Sequence, residues 1–224
     1  MSRRVEGSPE VARAPARVVV LTTRHVGDGG PARGAAEAVA RRGDERWPEG
    51  LLSWSLLEST DGQALMAYEQ WSDDTALDSA LSGPAPYEPG IPGAEPSAPV
   101  RYRLYRSHLG GGQEREVGCV VTPVFDVDGP ARQRRFVDEI FAMTQGTSRQ
   151  PGLIAAHFHL STDGTRVVNY AEWTDERSHA YSLTAEDPAG LRRRIGEFPG
   201  VRPCGFRRWF PHAALAPARA DDGR

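Results

Sequence analysis

Tyr68-Glu69-Gln70-Trp71-Ser72-Asp73 returns 102 residues later as Tyr170-Ala171-Glu172-Trp173-Thr174-Asp175. Working outward, Gly50-Leu51-Leu52 returns at the same offset as Gly152-Leu153-Ile154, and the turn Asp61-Gly62 as Asp163-Gly164. Further upstream, Val18-Val19-Val20-Leu21-Thr22-Thr23 answers to Cys119-Val120-Val121-Thr122-Pro123. Gly30-Pro31-Ala32-Arg33 answers to Gly129-Pro130-Ala131-Arg132 at an offset of 99 residues, which places a three-residue gain near the first helix. Landmarks recurring in order signal an internal duplication, and a duplication decides the fold before any single element does.

Each copy follows one plan. A β-branched run (17–25, 116–125) predicts a strand. Gly-Pro-Ala-Arg opens a helix, with Pro in the first turn where its missing N–H costs least. Ala35 and Val39, and in the second copy Phe136, Ile140 and Met143, fall at helical spacing. Two strands joined by Asp-Gly follow (51–59 with 64–71, 153–161 with 165–173), the strongest short hairpin signal. A short helix begins after each Trp, with Ser72 or Thr174 as the expected N-cap ahead of acidic residues. Val100–Tyr105 and Gly205–Phe210 close the copies as final strands. The order is βαββαβ, the split βαβ of ferredoxin-like folds. The domains expected are 16–108 and 116–213, joined by a Gly-rich linker (109–115), with tails at 1–15 and 214–224 read as disordered. The Pro/Gly-rich stretch 84–99 stands where the second copy has helix (189–197).

A two-residue Asp-Gly loop would fix the hairpin register, and register fixes the face. With Thr162 opposite Thr165, Phe158 opposes Asn169, Ala156 opposes Ala171 and Ile154 opposes Trp173. One face then carries Ile154, Ala156, Phe158, Val167, Asn169, Ala171 and Trp173. The other carries Leu153, Ala155, His157, His159, Val168, Tyr170 and Glu172. The Trp face of the first copy holds Leu52, Trp54, Leu56, Leu65, Ala67 and Trp71. Both faces are largely apolar, so one helix layer cannot cover both. The expected architecture is α+β: two ferredoxin-like repeats packed sheet to sheet as a pseudo-dimer within one chain, helices over the Trp faces and any small-molecule pocket beneath them.

Composition narrows the partners. With 25% charged residues and a formal net charge of −3, the chain offers no basic stripe for nucleic acid. Arg192-Arg193-Arg194, flanked by Asp187 and Glu197, reads as a solvated helix face. All 27 basic residues are Arg, and this bias with abundant Ala, Gly and Pro points to GC-rich codons, as in an actinomycete. No apolar run of membrane-spanning length and no signal-like N-terminus occur, so a cytoplasmic protein is expected, without a membrane partner. The two cysteines, Cys119 and Cys204, lack metal-ligand spacing and are expected to be neighbouring buried thiols rather than a redox pair.

The strand ending in Trp followed by Ser/Thr-Asp, on a split βαβ plan, resembles the antibiotic-biosynthesis monooxygenase superfamily of dimeric α+β barrels, once per repeat. That resemblance implies cofactor-free oxidation of an aromatic polyketide, an anthrone or phenol, to a quinone with O2. Its quinone-forming members use an Asn four residues before the Trp, a spacing met by Asn169 and Trp173. In the first copy the Asn position is Ala67, so the second repeat is expected to hold the active pocket and the first to be degenerate. The Arg and Tyr that the family places on the pocket wall correspond loosely to Arg193 and Tyr181, with His179 competing for the Tyr position. Phe158 and Trp71 complete the expected substrate contacts. Haem degradation would need a His about ten residues after Trp173, where Leu183 stands. The fold is also compatible with a non-redox polyketide cyclase, with a non-catalytic binding protein, and with further pairing of two chains.

Plainer readings compete at each position. A Trp at a strand end, such as Trp71, usually fills core. An Asn in an apolar face needs a partner or costs about 1–3 kcal/mol, and a backbone group could supply it. His157 and His159 point the same way from one strand, as a metal pair would. No third ligand is evident and their face is the one expected between repeats, which favours a structural role.

Overall fold

The computed structural model describes residues 2–5, 9–12, 16–26, 47–82, 94–96, 98–110, 116–145, 150–185 and 190–218. The chain divides into two compact units, residues 1–101 with 209–224, and residues 102–208. The first-copy helix expected after Gly30-Pro31-Ala32-Arg33, with Ala35 and Val39, lies outside the described residues, as does the linker core 111–115.

The second unit holds β7 (Cys119–Val127), α2 (Pro130–Thr144), β8 (Leu153–Ser161), β9 (Arg166–Trp173), α3 (Glu176–Thr184), α4 (Leu191–Gly196) and the start of β10 (Val201–Pro217). The sheet runs β8-β9-β7, with β10 on the far side of β7. This is the ferredoxin-like order, in which the last strand flanks the first. One further strand joins it: β6 (Val100–Leu109) pairs antiparallel with β8 from Tyr102↔Ser161 to Leu109↔Ala155. The strand read as closing the first copy therefore sits on the second unit's hairpin. The reason lies in β8, which is buried on both faces from Ile154 to Ser161 and would otherwise offer a long apolar edge.

The first unit repeats the arrangement around β2 (Val18–Val26), β3 (Leu51–Ser59), β4 (Ala64–Trp71) and α1 (Asp74–Leu81). β4 lies between β3 and β2, and the edge of β3 is covered by the far half of β10, from Trp209↔Ser59 to Leu215↔Trp54. Two expectations about the ends are corrected here. β1 (Ser2–Val5) pairs with Ala214–Pro217, so parts of both supposed tails are strand. Residues 9–12 are also held, because the buried Gln70 amide donates to the carbonyls of Glu10 and Val11 at 3.0 and 3.1 Å. Within the Pro/Gly-rich stretch, β5 (Ala94–Pro96) pairs with β2.

The hairpins keep the expected register, Phe158↔Asn169 and Leu56↔Ala67, through a different turn. A two-residue Asn-Gly or Asp-Gly turn of the primed type needs positive φ at both central residues. Among the described residues only glycines have positive φ, Gly62 at 69° and Gly164 at 80°. The loops are thus four residues wide, with Asp163 braced by Thr165 N–H at 2.9 Å and by Ser161 Oγ–H at 2.6 Å. At the other end of each hairpin the register slips by one residue. Trp173 faces Leu153 rather than Ile154, and Trp71 faces Leu51 rather than Leu52. Ile154 is the extra residue of a bulge, and its carbonyl accepts the Gly110 N–H at 2.8 Å. The slip moves Leu153 and Leu51 onto the Trp faces, where they pack with Trp173 and Trp71.

Helices cover these faces. α2 sets Phe136, Val137 and Ile140 against Ala156, Phe158 and Val167, and α1 sets Leu77 against Trp71. Helical spacing finds Phe136 and Ile140 but misses Val137 and Gln133 on the same buried face. Its amide donates to Ser161 O at 3.2 Å and Arg166 O at 2.7 Å, tying α2 to the hairpin end. Replacing Gln133 by Ala leaves those groups short of a donor and is expected to cost about 1–3 kcal/mol. Urea unfolding, with the slope unchanged, would measure it.

The caps also differ from expectation by one residue. Asp73 and Asp175, not Ser72 and Thr174, cap α1 and α3, accepting the N–H of Ala76 at 2.9 Å and of Ser178 at 2.8 Å. A carboxylate at a helix start gains from both the free N–H groups and the dipole. These bonds hold the Asp73 and Asp175 carboxyls below their ordinary pKa.

Candidate functional site

The face of the second unit that bears Trp173 carries two polar atoms with nothing to bond. Asn169 Oδ1 and Trp173 Nε1 are both buried and have no hydrogen-bond partner among the described residues. Buried polar groups are nearly always paired, so each exception calls for an explanation. Asn169 lies on β9 between Val167, in the cluster under α2, and Ala171, in the cluster around Trp173. Beside it, the β7–β9 ladder pairs Val121↔Ala171 and Val124↔Val168 and passes over Pro123, which has no N–H to give.

The first unit shows what the same position looks like when satisfied. There Trp71, fully buried, donates its indole N–H to Glu69 Oε2 at 3.2 Å. The residue 102 positions after Glu69 is Ala171, and the one 102 positions after Ala67 is Asn169. The second unit has lost the acceptor for its indole and gained an amide without a donor. Trp71 is thus engaged inside its own unit's core.

Beside Trp173 stands a cluster built by α3 and β10. His179 is 6% exposed, and its ring meets Trp173 edge to face at 5.1 Å and Phe206 at 5.0 Å. Its Nδ1 accepts from Arg208 Nε–H at 3.0 Å, and Arg208 also reaches Glu176 at 3.6 Å. Burial, then the neighbouring charge of Arg208, push the His179 pKa down to about 4. The imidazole is neutral at pH 7. Phe206 and Arg208 were not singled out in the sequence. Their signal was strand alternation, since residues two apart on β10 share a side.

The remaining expected residues divide between the buried face and the surface. Phe158 is buried opposite Asn169, in edge contact with Phe141. Tyr181, 63% exposed, and Arg193, exposed on α4, face solvent for much of their surface, while His179 meets Trp173 directly. Within the arginine run, Arg192 donates to the carbonyls of Ser182 and Ala185, and Arg194 bonds Glu139 at 2.9 Å, all at exposed positions.

The two strand histidines are internally satisfied on the opposite face. His157 Nδ1 meets Ser107 Oγ at 2.8 Å and its Nε2 lies 3.7 Å from Glu172. His159 Nδ1 meets the His157 carbonyl at 3.0 Å, and burial pushes its pKa down to about 3. No group of three metal-ligating side chains occurs among the described residues. Cys119 is a buried thiol, but the Cys204 thiol is exposed, against the expectation of two buried thiols. A thiol reagent should therefore label Cys204 in the folded protein and Cys119 only after denaturation, as peptide mass mapping would show.

Residues 124–187 match the family model described as antibiotic biosynthesis monooxygenase. Over 54 residues the chain is 46% identical to the tetracenomycin-F1 monooxygenase of Streptomyces glaucescens. That match takes in 24% of this chain and 47% of the relative, so the chain spans about half the length of the curated relative it matches. Among solved structures, an anthrone oxidase-like protein is similar at a TM-score of 0.69 with 16% identity, over 91% of this chain and 94% of that one. A monooxygenase-like protein from Listeria innocua is similar at a TM-score of 0.51 with 11% identity, over 88% and 95%. Such identities speak to the fold. No helix among the described residues is long and apolar enough to cross a membrane.

Proposed function

We propose that this chain, a member of the antibiotic biosynthesis monooxygenase family through its residues 124–187, oxidises an aromatic polyketide, an anthrone or phenol, to a quinone with O2. The observation that carries the reading is the pair of unpaired buried atoms, Asn169 Oδ1 and Trp173 Nε1, on one sheet face. An acceptor and a donor kept without partners in an apolar setting complement a molecule that is itself flat, apolar and edged with oxygens. Four residues of strand separate their Cα atoms by about 13 Å. The two groups therefore address different oxygens of one fused-ring substrate. The names of the relatives, a tetracenomycin-F1 monooxygenase and an anthrone oxidase-like protein, support the same substrate class.

The chemistry asks little of the protein beyond placement and electrostatics. An anthrone methylene between aromatic rings loses a proton, and the resulting carbanion gives one electron to O2. The radical pair joins as a ring peroxide. Loss of water leaves one oxygen as the new carbonyl and carries the other away with both methylene hydrogens. Anthrone plus O2 thus gives quinone plus water, and the substrate supplies the reducing electrons. Negative charge moves onto the ring oxygens as the proton leaves, and fixed donors stabilise it because they need no reorganisation. Trp173 is such a donor, and the Asn169 amide orients the substrate's hydroxyl.

Dissolved-O2 uptake by the metal-free protein with emodin anthrone tests the reading. The expected result is uptake above the spontaneous rate, with one quinone formed per O2 consumed. Conversion of a polyketide substrate under nitrogen would instead make the chain a non-redox cyclase. Tight binding without any conversion would make it a binding protein.

A further inference from the structure

The cluster around His179 deepens that reading and rests on it. Arg has only donors, so the bond from Arg208 Nε to His179 Nδ1 fixes which ring nitrogen carries the proton. In the neutral ring the proton must sit on Nε2. Among the described residues Nε2 has no hydrogen-bond partner, so its N–H is free to donate. The indole N–H of Trp173, one ring contact away, is equally uncommitted.

We propose that His179 Nε2–H and Trp173 Nε1–H form a two-donor site for an oxyanion of the bound substrate, with Arg208 as the positioning residue that fixes the imidazole tautomer. The ligand class is an aromatic phenolate or enolate, not the neutral phenol. Arg208 contributes charge as well as geometry: its cation polarises the imidazole from behind, which makes Nε2–H a stronger donor. The depressed pKa of His179 keeps the ring in the neutral form across the working range. The charged groups around the ring are Arg208 from β10 and Glu176 from the first turn of α3, already paired to each other at 3.6 Å. Trp173 from β9 and Phe206 from β10 face it as neutral rings. Phe206, 45% exposed, places the cluster at the boundary with solvent, where a ring oxygen can arrive while its hydrocarbon edge is buried.

Emodin, a hydroxyanthraquinone whose visible absorption shifts on ionisation, reads the site without turnover. Bound to the wild-type protein it should ionise about one pH unit or more below its value in free solution, the shift that donors to the charged form produce. His179→Phe preserves the edge-to-face packing with Trp173 and Phe206 and should move the ionisation well back toward its free value, leaving only the Trp173 donor's share, while emodin still binds. His179→Gln restores an N–H donor and should recover part of the shift. Arg208→Gln keeps a donor to Nδ1 but loses the cation, and should recover less than wild type. If wild type binds emodin and oxidises anthrone, yet His179→Phe shows the same ionisation, the two-donor site is wrong and the proposed function stands. If wild type binds no emodin and consumes no O2, both fall together.

Discussion

Asn169→Leu is expected to lower kcat for anthrone oxidation about 10²-fold and at the same time to raise the stability of the fold. The first effect is what a misplacement of the substrate by about 1 Å typically costs once the group that orients its hydroxyl is gone. The second follows from the unpaired state of Asn169 Oδ1. A buried acceptor without a donor carries a desolvation penalty of about 1–3 kcal/mol, and an apolar side chain of similar size is free of it. A residue retained for structure would show the reverse, with both activity and stability falling. Opposite signs are the mark of a position kept for function at the expense of stability. The first unit supplies the control. Trp71→Phe there removes the donor from a buried Glu69 carboxylate that is 2% exposed, and is expected to destabilise. Steady-state O2 uptake and urea unfolding, measured on the same preparations, decide the matter. Loss of activity with an equal loss of stability would return Asn169 to the core.

The hairpins, their register and the face shared by Asn169 and Trp173 were legible because strand alternation is a strict period and the Asp-Gly turns anchor it. What the sequence concealed lies where backbone geometry, not side-chain pattern, decides. The bulges at Ile154 and Leu52 shift the face of one residue, and nothing in Gly152-Leu153-Ile154 says which apolar residue is the extra one. The caps moved from Ser72 and Thr174 to Asp73 and Asp175 because both residue types suit the position and only the extended backbone at the Asp distinguishes them. Strand pairing was the larger gap. βαββαβ read along the chain gives the elements, but the placement of β6 on β8 depends on which edge most needs cover, a property of the folded sheet. The same holds for the site. Asn169 and Trp173 were candidates through the family resemblance, while His179 gained its proposed meaning only from Arg208 and Phe206, nearly thirty residues downstream. Tyr181, the natural choice by residue type, points to solvent because helix phase puts residue 179 against Trp173 instead.

Gly152→Ala is expected to cost about 3 kcal/mol or more, with a fall in Tm of roughly 6–12 °C for a chain of this size. Two separate strains add. Gly152 sits at φ 82°, where an L side chain costs about 1–2 kcal/mol. A Cβ there would also collide with Ser178 Cβ, at the start of α3, and overpacking of that kind costs about 1–3 kcal/mol. The close approach has a purpose in the fold. The Gly152 carbonyl accepts the Thr174 N–H at 2.9 Å, so the strand start, the end of β9 and the cap of α3 are one junction. Gly50 builds the same junction at φ 79° against Ala76 and Ser72, which is why the Gly-Leu pair recurs beside each Trp. Ser178→Gly removes the Cβ that collides but leaves the dihedral unchanged. Combined with Gly152→Ala it should recover about 1–3 kcal/mol of the loss, a coupling that a double-mutant cycle reads directly. Strictly additive costs would mean that the helix shifts to make room at no expense. In that case only the dihedral cost of about 1–2 kcal/mol would remain in the stability of Gly152→Ala, and the helix movement would appear as altered emodin ionisation.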